Sequence, residues 1–274
     1  MKSIRGLAVG LVTVLLLAAC STTPTGRSQL MLVSPDSAVR ASAEAYPKML
    51  EKYARQGKLN NDPEQVRRVK AITARLVAEA IRDYPHTRDW QWRVVVIDEP
   101  DTINAWCMAG GKMAVYSGLL EKIRPTDDEL AQVMAHEISH AVANHVAEQM
   151  SIALASQIGL AILSATALSD SRYRTAALTG AALAATLAIE LPYSRKAEAE
   201  ADRIGIELAA KAGYDPRAAV SLWEKMARAN PDSPPELLSS HPAPESRQAA
   251  LRVLVPQMMK YYDPKAPHPA YRKL

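Results

Sequence analysis

Apolar side chains recur along this chain with helical spacing in several stretches and with strand alternation in one. Residues 35–54 carry the first helical pattern. The second begins with Asp62 as N-cap and Pro63 in the first turn, and keeps one apolar face through Val66, Val69, Ile72, Leu76 and Ile81. Residues 90–98 alternate and are β-branched at their centre, and 102–108 and 112–117 add two short strands around Gly110 and Gly111. From Thr126, which forms a capping box with Glu129, the pattern is helical and runs past His145. Further helices are predicted at 151–168, 174–189, 194–212, 216–228 and 244–259. The expected class is α+β, mainly helical, with a small three-stranded sheet containing a hairpin.

Residues 151–191 are rich in Ala, Leu and Ile and are interrupted by Asp170, Arg172 and Arg174, which predicts a helical hairpin. It either packs on the protein's own core or offers a surface to lipid or unfolded substrate. Ser, Thr and Gly break both halves, so neither reads as a membrane span. At the start of the chain, Lys2 and Arg5 precede an apolar run over 6–17, and Leu17, Ala18 and Ala19 lead into Cys20. This resembles a bacterial lipoprotein signal with lipid on Cys20. The apolar run is shorter than the ~20 residues that cross a bilayer. The expected organisation is a signal peptide over 1–19, the lipidated Cys and a tether over 20–34, and one catalytic domain over 35–274. Residues 21–28, rich in Ser, Thr, Pro and Gly, form the core of that tether. Ser21 in place of Asp after Cys20 resembles lipoproteins sent to the outer membrane, facing the periplasm.

With 48% hydrophobic and 23% charged residues, the composition is that of a globular chain. Removing Lys2 and Arg5 takes the formal charge from +4 to +2, and the other basic residues are interleaved with Asp and Glu. No clustered basic patch exists to follow a phosphate backbone, so nucleic acid is not an expected partner. With Cys20 lipidated, Cys107 has no partner for an internal disulfide. Its apolar, strand-like surroundings read as core rather than as a nucleophile's site.

The chemistry is carried by His136, Glu137, Ile138, Ser139 and His140 inside the capped helix, an HExxH pattern. A four-residue step returns to the same helix face, so both imidazoles can reach one tetrahedral zinc, with Glu137 alongside. Zinc makes bound water acidic, and Glu137 is placed to take its proton during attack on a peptide carbonyl. Val133, Met134, Ala135 and Ile138 make the flanks apolar, as a buried active-site helix requires. A third ligand is needed. The metzincin position for a third His holds Val146, and His145 is off phase. The run from Ser194 to Asp202 is the better source: Glu198 and Asp202 share a face, so Glu198 can bind zinc while Asp202 accepts the far N–H of a ligating imidazole. Glu200 points elsewhere.

HExxH followed by SRKAEAEAD resembles the gluzincin family of CAAX prenyl proteases and HtpX-type peptidases, closest to its periplasmic lipoproteins of the LoiP and BepA type. The resemblance runs from TGRSQLMLVS, near Thr25, to the His241–Pro242 region. It implies a minigluzincin-like fold with the HExxH helix and the ligand helix beside the sheet, one zinc per chain, Glu198 as ligand and Asp202 behind it. NAWCMAGGKMAVYSGLL is similar to the family's hairpin, whose edge strand would pair with extended substrate. Ala109 stands where many members have Pro, and Ser139 where many have Gly. His241, in a Pro-rich loop, is similar to the family's His-Pro segment and is expected at the zinc, either as oxyanion donor or as a brake in the fourth position.

The function expected is a zinc metalloendopeptidase cleaving misfolded or unassembled cell-envelope proteins. The alternative is a chaperone-like assembly factor for outer-membrane proteins with little proteolysis. A complete ligand set with Glu137 favours catalysis, because a binding module has no use for a base.

Overall fold

A computed structural model describes residues 20–167, 193–229, 237, 241 and 245–274. The helix expected at 174–189 lies outside them. Helix α1 (Pro35–Arg55) starts where the Ser34 hydroxyl accepts from the Ser37 amide, and α2 (Pro63–Asp83) where Asp62 accepts from Glu64 and Gln65 at 2.8 and 3.1 Å. Each places Pro at its start, where the missing N–H costs nothing.

Strands β3 (Arg93–Ile97), β4 (Ala105–Met108) and β5 (Lys112–Tyr116) form a sheet in the order β3-β5-β4, with β5 parallel to β3 and antiparallel to β4. Gly110 and Gly111 turn between β4 and β5 with φ of +77° and +73°, and a Cβ on Gly111 would enter the Trp92 ring. Alternate strand residues feed two cores. Val94, Val96, Ala105, Cys107, Met113 and Val115 pack towards α2 and the active-site helix. Val95, Ile97, Trp106, Met108 and Ala114 pack towards α1. Both faces are covered, so the strands are buried except at Arg93 and Tyr116, and β4 is an edge beside the site.

Helix α3 (Asp127–Val142) carries HExxH and is capped as the sequence predicts: Thr126 Oγ1 accepts from the Glu129 amide at 3.2 Å, and Glu129 Oε2 from the Thr126 amide at 2.8 Å. It does not run past His145. Asn144 adopts φ +59°, a left-handed state that Asn tolerates, and a separate helix α4 (His145–Ala167) begins there, six residues before the expected start at 151. Helix α5 (Arg195–Lys211) lies against α3. A Cβ on Gly205 would sit 3.0 Å from the His136 amide nitrogen, so glycine lets the two backbones approach closely. Helices α6 (Ala218–Ala229) and α7 (Glu245–Met258) close the far side of α3 and α5.

Residues 21–28, read as a tether, are folded. Strands β1 (Cys20–Thr22) and β2 (Ser28–Leu30) pair antiparallel, with Thr23 and Gln29 buried. The polar composition that suggests a linker instead serves side-chain hydrogen bonds to the body. No helix among the described residues is long and apolar enough to cross a membrane.

Candidate metal centre

One turn of α3 brings His136 Nε2 and His140 Nε2 to 3.1 Å. Glu198, in the first turn of α5 below a Ser194 cap, sets Oε2 3.4 Å from His136 Nε2 and Oε1 3.4 Å from His140 Nε2. His241 completes the group, with Nδ1 2.9 Å from Glu198 Oε1 and 3.3 Å from His136 Nε2. All four are buried, and one ligand atom from each lies within 4.8 Å of the others. Three imidazoles and a carboxylate that turn lone pairs on one another in a buried space have the chemistry of a zinc site. Glu137 lies beside them with Oε1 3.5 Å from His241 Nε2, that oxygen buried and without a hydrogen-bond partner, as on a base facing a reaction space.

A second layer fixes the ring orientations. His136 Nδ1 is 3.1 Å from Asp202 Oδ1. A carboxylate only accepts, so the proton sits on Nδ1 and the Nε2 lone pair faces the cluster. Arg247 holds Asp202 with Nε and Nη2, each at 2.7 Å, places Nη1 2.8 Å from Glu198 Oε2, and lies over the Trp223 ring at 4.0 Å. Tyr193 stacks on His140 at 4.0 Å between centroids.

His145 and Glu200 depart from expectation. Off phase for ligation, His145 reaches round to the back of His140, Nδ1 to Nδ1 at 3.0 Å. Glu200, 5% exposed, does not point away into solvent; its Oε2 lies 3.1 Å from His145 Nε2. Arg247, Tyr193 and the Glu200 network are absent from the sequence reading. The pattern of Arg247 six residues after His241 was a usable signal; the partners of Glu200 at Thr25 and Arg27 had none.

The electrostatics follow this geometry. Burial pushes the Glu198 carboxyl up, but the surrounding imidazoles of His136, His140 and His241 outweigh it and hold it well below the usual carboxylate range. For Glu137 burial dominates: the nearby His241, His136 and Arg247 offset it only in part, and its carboxyl is raised. Burial holds His140 well below the ordinary imidazole value. Cys107 is buried in the sheet and its thiol is raised well above normal, first by burial and then by Glu137, so it has core rather than nucleophile character.

The pattern of Peptidase family M48 matches residues 63–255, well over half of the chain. The chain belongs to this family. Its members are zinc-dependent metallopeptidases, and the cluster of His136, His140, Glu198 and His241 supplies a group able to hold the ion. The chain is 36% identical over 245 residues to the mitochondrial metalloendopeptidase OMA1 of Bos taurus, covering 86% of this chain and 46% of that one. It is 37% identical over 184 residues to the mitochondrial metalloendopeptidase OMA1 of Arabidopsis thaliana, covering 66% and 36%. To the beta-barrel assembly-enhancing protease of Escherichia coli it is 34% identical over 207 residues, covering 73% and 41%. The chain thus spans less than half the length of these relatives.

Proposed function

We propose that this M48 protein is a zinc endopeptidase for misfolded or unassembled cell-envelope proteins, with His136, His140 and Glu198 as ligands and Glu137 as base. The observation that carries the reading is the convergence of four buried donor groups beside Glu137, whose Oε1 is buried without a hydrogen-bond partner. Zinc supplies Lewis acidity, which polarises a peptide carbonyl and makes water easier to deprotonate. Glu137, its carboxyl raised by burial, takes that proton and returns it to the leaving amine. Asp202 keeps the His136 lone pair on the reacting side and is itself gripped by Arg247.

Edge strand β4 offers backbone groups to an extended substrate, which suits unfolded chain rather than folded protein. An apolar cleft opens beside His136 and Glu137, walled by Val133, Ile206, Leu222, Trp223 and Met226. It takes an apolar substrate side chain, of the kind that misfolding exposes. His241 sits among the ligands where substrate must enter, so we assign it as a brake in the fourth position rather than as an oxyanion donor.

The envelope assignment rests on the lipoprotein-like start, with a signal peptide over 1–19, lipid on Cys20 and outer-membrane attachment facing the periplasm. The likeness to the E. coli beta-barrel assembly-enhancing protease agrees with it. The experiment is a trap: Glu137→Gln expressed in a bacterial envelope, with bound proteins identified by mass spectrometry. Enrichment of unassembled envelope proteins that wild type degrades is expected. The same proteins bound but untouched by wild type would favour the chaperone-like alternative.

A further inference from the structure

Among the described residues, the folded hairpin of residues 20–30 hydrogen-bonds to the body at the back of the metal centre. Thr25 Oγ1 donates to Glu200 Oε1 at 2.5 Å, and Arg27 Nε donates to Glu200 Oε2 at 2.7 Å. Arg27 also forks onto Glu148 of α4, Nη1 and Nη2 lying 2.8 and 2.6 Å from its two oxygens. Gln29 donates to Glu148 Oε2 at 3.0 Å and to the Ala143 carbonyl at 2.8 Å, at the break between α3 and α4. The hairpin therefore ties together the three segments that surround His145.

His145 converts this clamp into a constraint on His140. Glu200 can only accept, so His145 Nε2, 3.1 Å away, carries the proton. His145 Nδ1 in turn lies 3.0 Å from His140 Nδ1, so the two rings meet on the side of His140 away from the cluster. His140 Nε2 is thereby turned to Glu198 and His136. Asp202 supports His136 directly; Glu200 supports His140 through a second imidazole. We propose that Thr25 and Arg27 are positioning residues for the metal centre: through Glu200 and His145 they set the position and orientation of the His140 ring. The hairpin thereby becomes part of the zinc site rather than a linker to it.

This rests on His140 being a zinc ligand, and the test separates the two claims. In the full chain, zinc affinity is measured by competition with a chromogenic chelator, and the visible spectrum is recorded after cobalt loading. His140→Ala is expected to lose zinc; wild-type affinity there would remove the ligand assignment itself. Given that loss, His145→Phe, which keeps a ring but removes both ring nitrogens, is expected to weaken zinc about 10- to 100-fold and alter the cobalt spectrum. Arg27→Ala and Thr25→Val are expected to move both readouts in the same direction, and Thr25→Ser to restore them. Should His145→Phe fail to fold, the Thr25 pair still decides, because Thr25 is on the surface. Wild-type affinity and spectrum in Arg27→Ala and Thr25→Val would overturn the proposal, whatever His145→Phe does.

Discussion

His241 Nδ1 lies 2.9 Å from Glu198 Oε1, although the two are 43 residues apart and on separate elements. That contact sets the His241 ring among the proposed ligand atoms, and its role as a brake has a sign. His241→Ala is expected to raise turnover of an unfolded substrate and to speed zinc loss to chelator, because a competing ligand is removed. Steady-state kinetics with chelation rates check this. A fall of roughly 10²–10³ in kcat with zinc retained would instead assign His241 to the oxyanion.

The two buried glutamates of α5 are expected to behave differently. Glu198→Ala should abolish stoichiometric zinc, because a ligand is gone, whereas Glu200→Ala should weaken binding without removing the site. Elemental analysis after dialysis distinguishes them, and zinc retained by Glu198→Ala but lost by Glu200→Ala would reverse the assignment.

Arg247 grips Asp202 through two parallel hydrogen bonds and lies on Trp223, a geometry that a point charge cannot reproduce. Arg247→Lys is expected to lower zinc affinity by about 10-fold through looser support of His136. Wild-type affinity by chelator competition would show that Asp202 holds its place without the fork.

Gly205 allows α5 to lie on the backbone of His136, with a Cβ meeting the amide nitrogen at 3.0 Å. Gly205→Val is expected to destabilise the fold by about 1–3 kcal/mol and to cost zinc as α5 is pushed away. Denaturant unfolding of the metal-free and zinc-loaded forms measures the two effects separately.

Glu129 caps α3 while bonding Lys225 Nζ at 2.5 Å and Ser221 Oγ at 2.7 Å. Burial pushes its carboxyl up, but Lys225, the Thr126 amide and Ser221 outweigh it, so its folded value lies below the ordinary one. A depressed carboxylate stabilises above its unfolded value, ~4.3, and that contribution disappears as pH falls through the lower folded value. Glu129→Gln should therefore cost about 1 kcal/mol at neutral pH, discounted for the exposed lysine. The gap to wild type should close in acid. A gap that stays constant with pH would mean that the charge contributes nothing.

Where local rules decide structure, the sequence was legible. The Asp62 cap, the Thr126–Glu129 box, the Gly110–Gly111 turn and the one-turn spacing of His136 and His140 are all short-range, and all appear as expected. The spacing of Glu198 and Asp202 likewise foretold one shared face, and both meet His136. What stayed hidden depends on distant partners. Glu200 looks like a solvated residue until Arg27, 173 positions away, is folded against it. The end of α3 at Asn144 was missed because apolar periodicity continues across a single left-handed residue. The hairpin within residues 21–28 was hidden for a related reason: Ser and Thr suit a linker and a side-chain clamp equally well.

Peptide cleavage by this site depends most directly on Glu137, the buried carboxylate with no hydrogen-bond partner on Oε1. The deciding measurement is casein cleavage by purified Glu137→Gln whose zinc content has been verified. One zinc per chain with cleavage lost is the predicted result, because the ligands remain and the base is gone. Cleavage at the wild-type rate by the zinc-loaded variant would contradict it.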